Sequence, residues 1–137
     1  MFAEMILPSG QKLKLYGIID KMEMMEAGKI RVVDYKTGKT FSEKNKSQKE
    51  DLERQLVFYK LLIDKYYGEN RVEEGVLDFV ERSKKTGEYV TEKRFIDSAQ
   101  VAKLEEEINE FAEDILSGDF LDREYKKDKD NEEYFEL

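Results

Sequence analysis

Between residues 51 and 67 the side chains Leu52, Leu56, Tyr59, Ile63 and Tyr66 recur at helical spacing, and short β-like segments lie on both sides of that stretch. A chain patterned in this way has to lay its helix on a sheet. Upstream, residues 2–7 alternate in the manner of a strand, Pro8-Ser9-Gly10 forms a turn, and a long β-like segment runs over 12–25. After a turn at 26–29 the strand 30–36 follows, which predicts a three-stranded antiparallel meander. A polar, lysine-rich loop over 37–49 leads into the helix, which Gly68 stops.

Downstream, residues 75–82 and 89–96 form a second hairpin about the turn 83–88. Ser98 or Asp97 then caps a helix over 98–117, striped by Val101, Leu104, Ile108, Phe111, Ile115 and Leu116 and ended by Gly118. The expected fold class is therefore α/β, a mixed sheet begun by the meander and flanked by helices 51–67 and 98–117. Residues 1–118 make one domain, and 119–137 make a charged C-terminal tail. With 137 residues, 39 % hydrophobic and 16 aromatics, the chain has material for one core.

The composition removes whole classes of chemistry. No Cys means no disulfide, no iron-sulfur cluster and no thiol catalysis, and no His means no imidazole acid or base. Carboxylates, Lys, Tyr and hydroxyls are what remain. No run reaches the roughly 18 apolar residues of a membrane helix and the start is unlike a signal peptide, so a cytoplasmic location is expected. The net charge of -8 opposes phosphate binding at first sight, but the charge is unevenly spread. Residues 1–72 carry 14 basic and 11 acidic side chains, while residues 73–137 carry 10 and 21.

The first hairpin has a computable register. A turn centred between Ala27 and Gly28 pairs positions whose numbers sum to about 54 or 55, so Met24 faces Ile30, Met22 faces Val32 and Asp20 faces Asp34. Ile18, Met22, Met24, Ile30 and Val32 share the parity of the two aspartates. Like charges directly opposed on a sheet repel, and Lys36, two residues beyond Asp34, supplies one positive charge to their side. On spacing alone the trio fits either a structural ion cluster or a site for Mg²⁺ or Mn²⁺, hard cations that take a few carboxylate oxygens, a backbone carbonyl and several waters. In the second case metal-bound water and Lys36 together supply phosphodiester hydrolysis without His.

These residues occur in a telling order: Gly17-Ile18-Ile19-Asp20, then Val32-Val33-Asp34-Tyr35-Lys36-Thr37-Gly38, then Gln55-Leu56-Val57-Phe58-Tyr59. The series G-x-x-D, D-Y-K-T-G and Q-x-x-x-Y resembles the RecB-like branch of the PD-(D/E)XK nuclease superfamily, with similarity over roughly residues 2–82. The resemblance implies a restriction-endonuclease-like fold and a Mg²⁺- or Mn²⁺-dependent deoxyribonuclease. It implies that Asp20 and Asp34 are metal ligands with the Tyr35 backbone carbonyl, that Lys36 is the catalytic lysine, and that Gln55 and Tyr59 line the site and touch DNA. Gly38 would let the chain turn sharply after the strand. Gln55 is singled out independently, because an amide on the apolar stripe needs a buried partner; Tyr59 by itself reads as core.

Relatives often carry a helix before the first strand whose His or Glu completes the metal site, and some end in a cysteine-ligated iron-sulfur cluster. This chain begins almost at the strand, with Glu4 and Glu23 as substitutes, and has no Cys. Both departures suit a module of a longer helicase-nuclease of the RecB or UvrD-like type, acting in DNA repair or recombination as an exonuclease and joined to a helicase domain or subunit. The alternative is a non-catalytic DNA-binding or protein-docking domain of the same fold.

Single-stranded DNA or duplex ends are the expected nucleic-acid partners. Lys36, Lys39, Lys44, Lys46 and Lys49, opposed in that stretch only by Glu43, are either phosphate contacts or a solvated loop, and Phe41 is a candidate for stacking on a base. Lys84 and Lys85 read as turn residues. The acids of the last helix, among them Glu105, Glu107 and Glu113, read as a solvated face or a docking surface for a helicase. No GxxxxGK[ST] loop is present, so this chain supplies no ATPase of its own.

Overall fold

The computed structural model describes residues 1–117, so the expected tail over 119–137 lies outside the described residues. Strands β1 (Phe2–Ile6) and β2 (Lys12–Tyr16) form an antiparallel pair. Strands β3 (Lys21–Met24), β4 (Ile30–Lys36), β5 (Val72–Phe79) and β6 (Val90–Phe95) form a mixed sheet in the order β3-β4-β5-β6. β4 and β5 are parallel and the outer pairs antiparallel. Helices α1 (Lys46–Tyr67) and α2 (Ser98–Ser117) complete the α/β architecture.

The expected meander is divided between the two sheets. The 12–25 segment breaks because Gly17 runs hard against α1. A Cβ built there would lie 2.8 Å from Leu62 Cδ2 and 3.3 Å from Phe58 Cε1. The Gly17 amide donates to the Met1 carbonyl at 3.0 Å, which closes the β1–β2 pair, and the chain then crosses to the second sheet through Asp20. Alternation continues through the break, so the pattern of side chains alone does not reveal it.

The hairpin register is the expected one, with Met22 opposite Val32 and Met24 opposite Ile30. A 3-10 turn at Glu26–Gly28 makes it possible, with Ala27 at φ 59° and Gly28 at φ 73°. The shared parity does not produce a shared environment, however. Ile30 and Val32 are buried, whereas Ile18, Met22 and Met24 are exposed, because α1 packs on β4 and β5 and β3 is the edge strand.

Helix α1 starts at Lys46, five positions before the expected 51. Asn45 Oδ1 accepts from the Gln48 amide at 2.9 Å and Gln48 Oε1 accepts from the Asn45 amide at 3.1 Å, a reciprocal cap in a polar segment without apolar periodicity. The expected loop over 37–49 is thus largely ordered, since Phe41–Glu43 is a 3-10 turn and Lys46 and Lys49 belong to the helix. Helix α2 agrees with the expectation, capped by the matching Asp97–Gln100 exchange at 2.8 and 3.0 Å. Its acids are not wholly solvated: Glu105 pairs with Lys65 at 3.0 Å, Glu107 with Arg54, and Glu113 accepts from the Ser9 amide.

The core gathers Met5, Leu15, Ile30, Val32, Phe58, Leu62, Leu77 and Phe79. One charge is enclosed beside it. Lys60, 2 % exposed, donates to Asp64 Oδ2 at 2.7 Å, to Asn70 Oδ1 and to the Val72 carbonyl, while Asp64 Oδ1 accepts from the Arg71 and Val72 amides at 2.9 Å. All three ammonium protons have acceptors, and the network fixes the start of β5 to the end of α1. No helix among the described residues is long and apolar enough to cross a membrane.

Candidate active site

β4 and β5 run parallel, and their carboxyl ends meet where Lys36 registers with Phe79 and the Val80 amide donates to the Lys36 carbonyl at 2.9 Å. The carboxyl edge of parallel strands is the usual place for a site in an α/β sheet. Asp34 and Lys36 stand there on β4, two residues apart and on one side of the strand. Asp20 comes to the same end because β3 runs antiparallel to β4, and its Oδ2 accepts from the Tyr35 amide at 2.9 Å.

Asp34 is 5 % exposed and Asp20 is exposed. Burial pushes the Asp34 carboxyl above the usual range; the Lys36 ammonium pulls it back, and the neighbouring Asp20 carboxyl raises it again. Lys36 Nζ lies 2.6 Å from Asp34 Oδ2, but this buried oxygen accepts no hydrogen bond of good geometry. The same ammonium donates at 2.6 Å to Gln55 Oε1 on α1. Gln55 also hydrogen-bonds Tyr59, whose hydroxyl is pushed up to about 12, chiefly by burial and then by the Asp34 and Asp20 charges. The phenol therefore stays protonated at any physiological pH.

Asp20, Asp34, Lys36, Gln55 and Tyr59 are thus one connected group, and the chain turns away directly afterwards at Gly38, φ 84°. The buried Asp34 carboxylate, ion-paired with Lys36 and beside a second carboxylate, fits a hard divalent cation. Two carboxylates match Mg²⁺ or Mn²⁺, which keep several waters and need only one or two carboxylates.

Other candidates lie elsewhere. Glu23 is engaged by Lys21 at 3.1 Å and Arg31 at 3.2 Å, and Glu4 lies 4.0 Å from Lys12, so neither is directed to the aspartate pair. Phe41 is not free to stack on a base. It is buried, with the Arg94 guanidinium 4.5 Å and the Lys49 ammonium 5.4 Å from its ring centroid. Lys39 is exposed, Lys44 half-buried, and Lys46, on the first turn of α1, approaches Glu50 at 3.9 Å; none of them ion-pairs with the aspartates. Sequence reading missed Ser83, whose buried hydroxyl donates to Glu43 Oε1 at 2.7 Å and ties the β5–β6 turn to the turn after the site. The two residues are 40 positions apart, and no local pattern links them.

A mixed sheet with carboxylates and a lysine at its parallel edge, completed by an amide and a phenol from the intervening helix, defines a domain of the restriction-endonuclease-like class. The sequence matches the family model of the PD-(D/E)XK nuclease superfamily over residues 2–128, and the chain belongs to that superfamily. No curated protein and no solved structure gives a match to the chain.

Proposed function

We propose that this domain is a Mg²⁺- or Mn²⁺-dependent deoxyribonuclease whose site is Asp20, Asp34, Lys36, Gln55 and Tyr59. The observation supporting this most directly is the buried Asp34 carboxylate, set next to Asp20 and ion-paired with Lys36 at 2.6 Å. Burying a carboxylate beside a second one is costly and is kept where the group has work to do. Asp20 and Asp34, with the Tyr35 carbonyl, would hold the cation. When bound, it acidifies water and draws charge from a phosphoryl oxygen.

The protein's own groups complete the chemistry. Lys36, steadied by Gln55, offers a fixed ammonium to charge developing on the phosphoryl oxygen. Tyr59, neutral and hydrogen-bonded to Gln55, keeps that amide turned toward the lysine. The exposed Lys39, with Lys44 and Lys46, supplies phosphate contacts outside this group. The D-Y-K-T-G and Q-x-x-x-Y series further supports a module of a helicase-nuclease in DNA repair or recombination, with exonuclease action at DNA ends and a helicase in cis or in trans.

Calorimetric Mn²⁺ titration of the wild type against Asp20→Ala and Asp34→Ala tests the site. Binding lost in both variants supports it, and binding unaffected by both removes it. Cleavage of single-stranded and nicked DNA that disappears in Lys36→Ala identifies the enzyme, whereas DNA binding without cleavage favours the non-catalytic reading.

A further inference from the structure

We infer that the tip of the β5–β6 hairpin, residues 82–89, is a second nucleic-acid contact, gripping single-stranded DNA with Lys84 and Lys85 on phosphates and Tyr89 under a base. The inference rests on the nuclease reading and extends it by naming the form of substrate. Its starting point is the Glu43–Ser83 tie. Glu43, the one acid between residues 36 and 49, turns inward: Oε1 accepts from Ser83 Oγ at 2.7 Å, Oε2 lies 3.3 Å from the Thr40 amide, and the Lys85 amide also bonds the carboxylate. These bonds hold the Glu43 carboxyl below its usual range, the Ser83 hydroxyl contributing most. Two loops that leave the carboxyl ends of β4 and β5 are thereby fastened together beside the site.

The tip is also fixed within itself. Ser83 Oγ accepts from the Lys85 amide at 3.2 Å, the Ser83 amide donates to the Glu88 carbonyl at 2.8 Å, and the Gly87 amide donates to the Ser83 carbonyl at 2.7 Å. A rigid turn holds its side chains in place before any ligand arrives, which lowers the entropy cost of binding. The tip 82–89 has three basic side chains and one acid, Glu88, and Lys84 and Lys85 are exposed and form no ion pair among the described residues. Their charge is available to phosphate.

Tyr89 supplies the second kind of contact. Its ring is 66 % exposed, and the Arg82 guanidinium stands 5.5 Å from its centroid. An aromatic side chain beside clustered basic residues is the pattern by which unpaired bases are stacked while the backbone is neutralised. A duplex offers no such base face away from its ends, so the chemistry selects a single strand.

Fluorescence anisotropy of the full chain in EDTA, with a labelled oligonucleotide as a single strand and as a blunt duplex, tests this without cleavage. Lys84→Ala with Lys85→Ala should weaken single-strand binding about tenfold and lower the salt slope by about 1.4. Tyr89→Ala should weaken single-strand binding about tenfold and leave duplex binding unchanged. If both variants bind the single strand like the wild type while Lys39→Ala with Lys44→Ala binds less, the hairpin contact is wrong and the site reading stands. If Tyr89→Ala weakens both DNA forms equally, the single-strand assignment is wrong. A wild-type chain that binds neither DNA overturns this contact, while the nuclease reading is then decided by the Mn²⁺ titration and by cleavage.

Discussion

The ammonium of Lys36 is held by Gln55 Oε1 at 2.6 Å as well as by Asp34 Oδ2 at 2.6 Å, so the positive charge at the aspartate pair is positioned from the helix and from its own strand together. Replacing Gln55 with Ala leaves the carboxylates in place and removes the lysine's helix-side acceptor, so that Asp34 alone orients it. Cleavage should fall on the order of 10², in kcat rather than KM, because a catalytic group misplaced by an ångström loses about that much. Mn²⁺ affinity measured by calorimetry should stay near the wild-type value, and a matching loss of metal binding would contradict the role given to Gln55.

Asp34 makes the fold weaker at neutral pH. Its carboxyl titrates above the ordinary value of 3.8, so the folded chain holds that proton more tightly than the unfolded chain, and stability falls as pH rises from about 3.8 through the raised folded value. Asp34→Asn should therefore be more stable than the wild type at pH 7 in urea unfolding, with the difference shrinking as the pH is lowered through that window. Saturating Mn²⁺, at a hundred times its Kd, should stabilise the wild type by about 2.7 kcal/mol and the variant not at all.

Gly17 is required for closeness. A methyl group there meets Leu62 and Phe58, both fully buried side chains with little room to yield. Gly17→Ala should cost about 1 to 3 kcal/mol in urea unfolding. Because the same backbone delivers Asp20, Mn²⁺ binding should weaken as well.

Lys60 is protected by its three acceptors. Lys60→Ala strips the half-buried Asp64 carboxylate of its counter-charge and leaves the Asn70 and Val72 acceptors unpaired, and should destabilise by about 3 kcal/mol. Replacing Lys60 and Asp64 together by Met and Leu should cost much less, and a double variant as unstable as Lys60→Ala would show that the loss comes from packing alone.

Much of the site was legible because hairpin arithmetic is local. Two left-handed turn residues and a period of two fixed the pairing of Met22 with Val32, and that pairing put Asp20 and Asp34 at one end. Gln55 was legible as an amide on an apolar stripe. What stayed hidden was non-local or aperiodic. The parallel pairing of β4 with β5 joins segments separated by a whole helix, the break at Gly17 depends on contact with Leu62, and the first turns of α1 are polar on every side. Phe41 looked available because its covering residue, Arg94, comes from β6.

The tie between Glu43 and Ser83 also bears on how the molecule is built in time. Asp20, Asp34, Lys36, Gln55 and Tyr59 lie within one short span of chain and come together through a hairpin and the helix that follows it, contacts of low sequence separation that form early in folding. The β5–β6 turn reaches them only after the longer loop through α1 has closed and β5 has docked beside β4, so its arrival is slower. A chain caught between these stages would hold its acidic centre assembled while its basic rim was still half made.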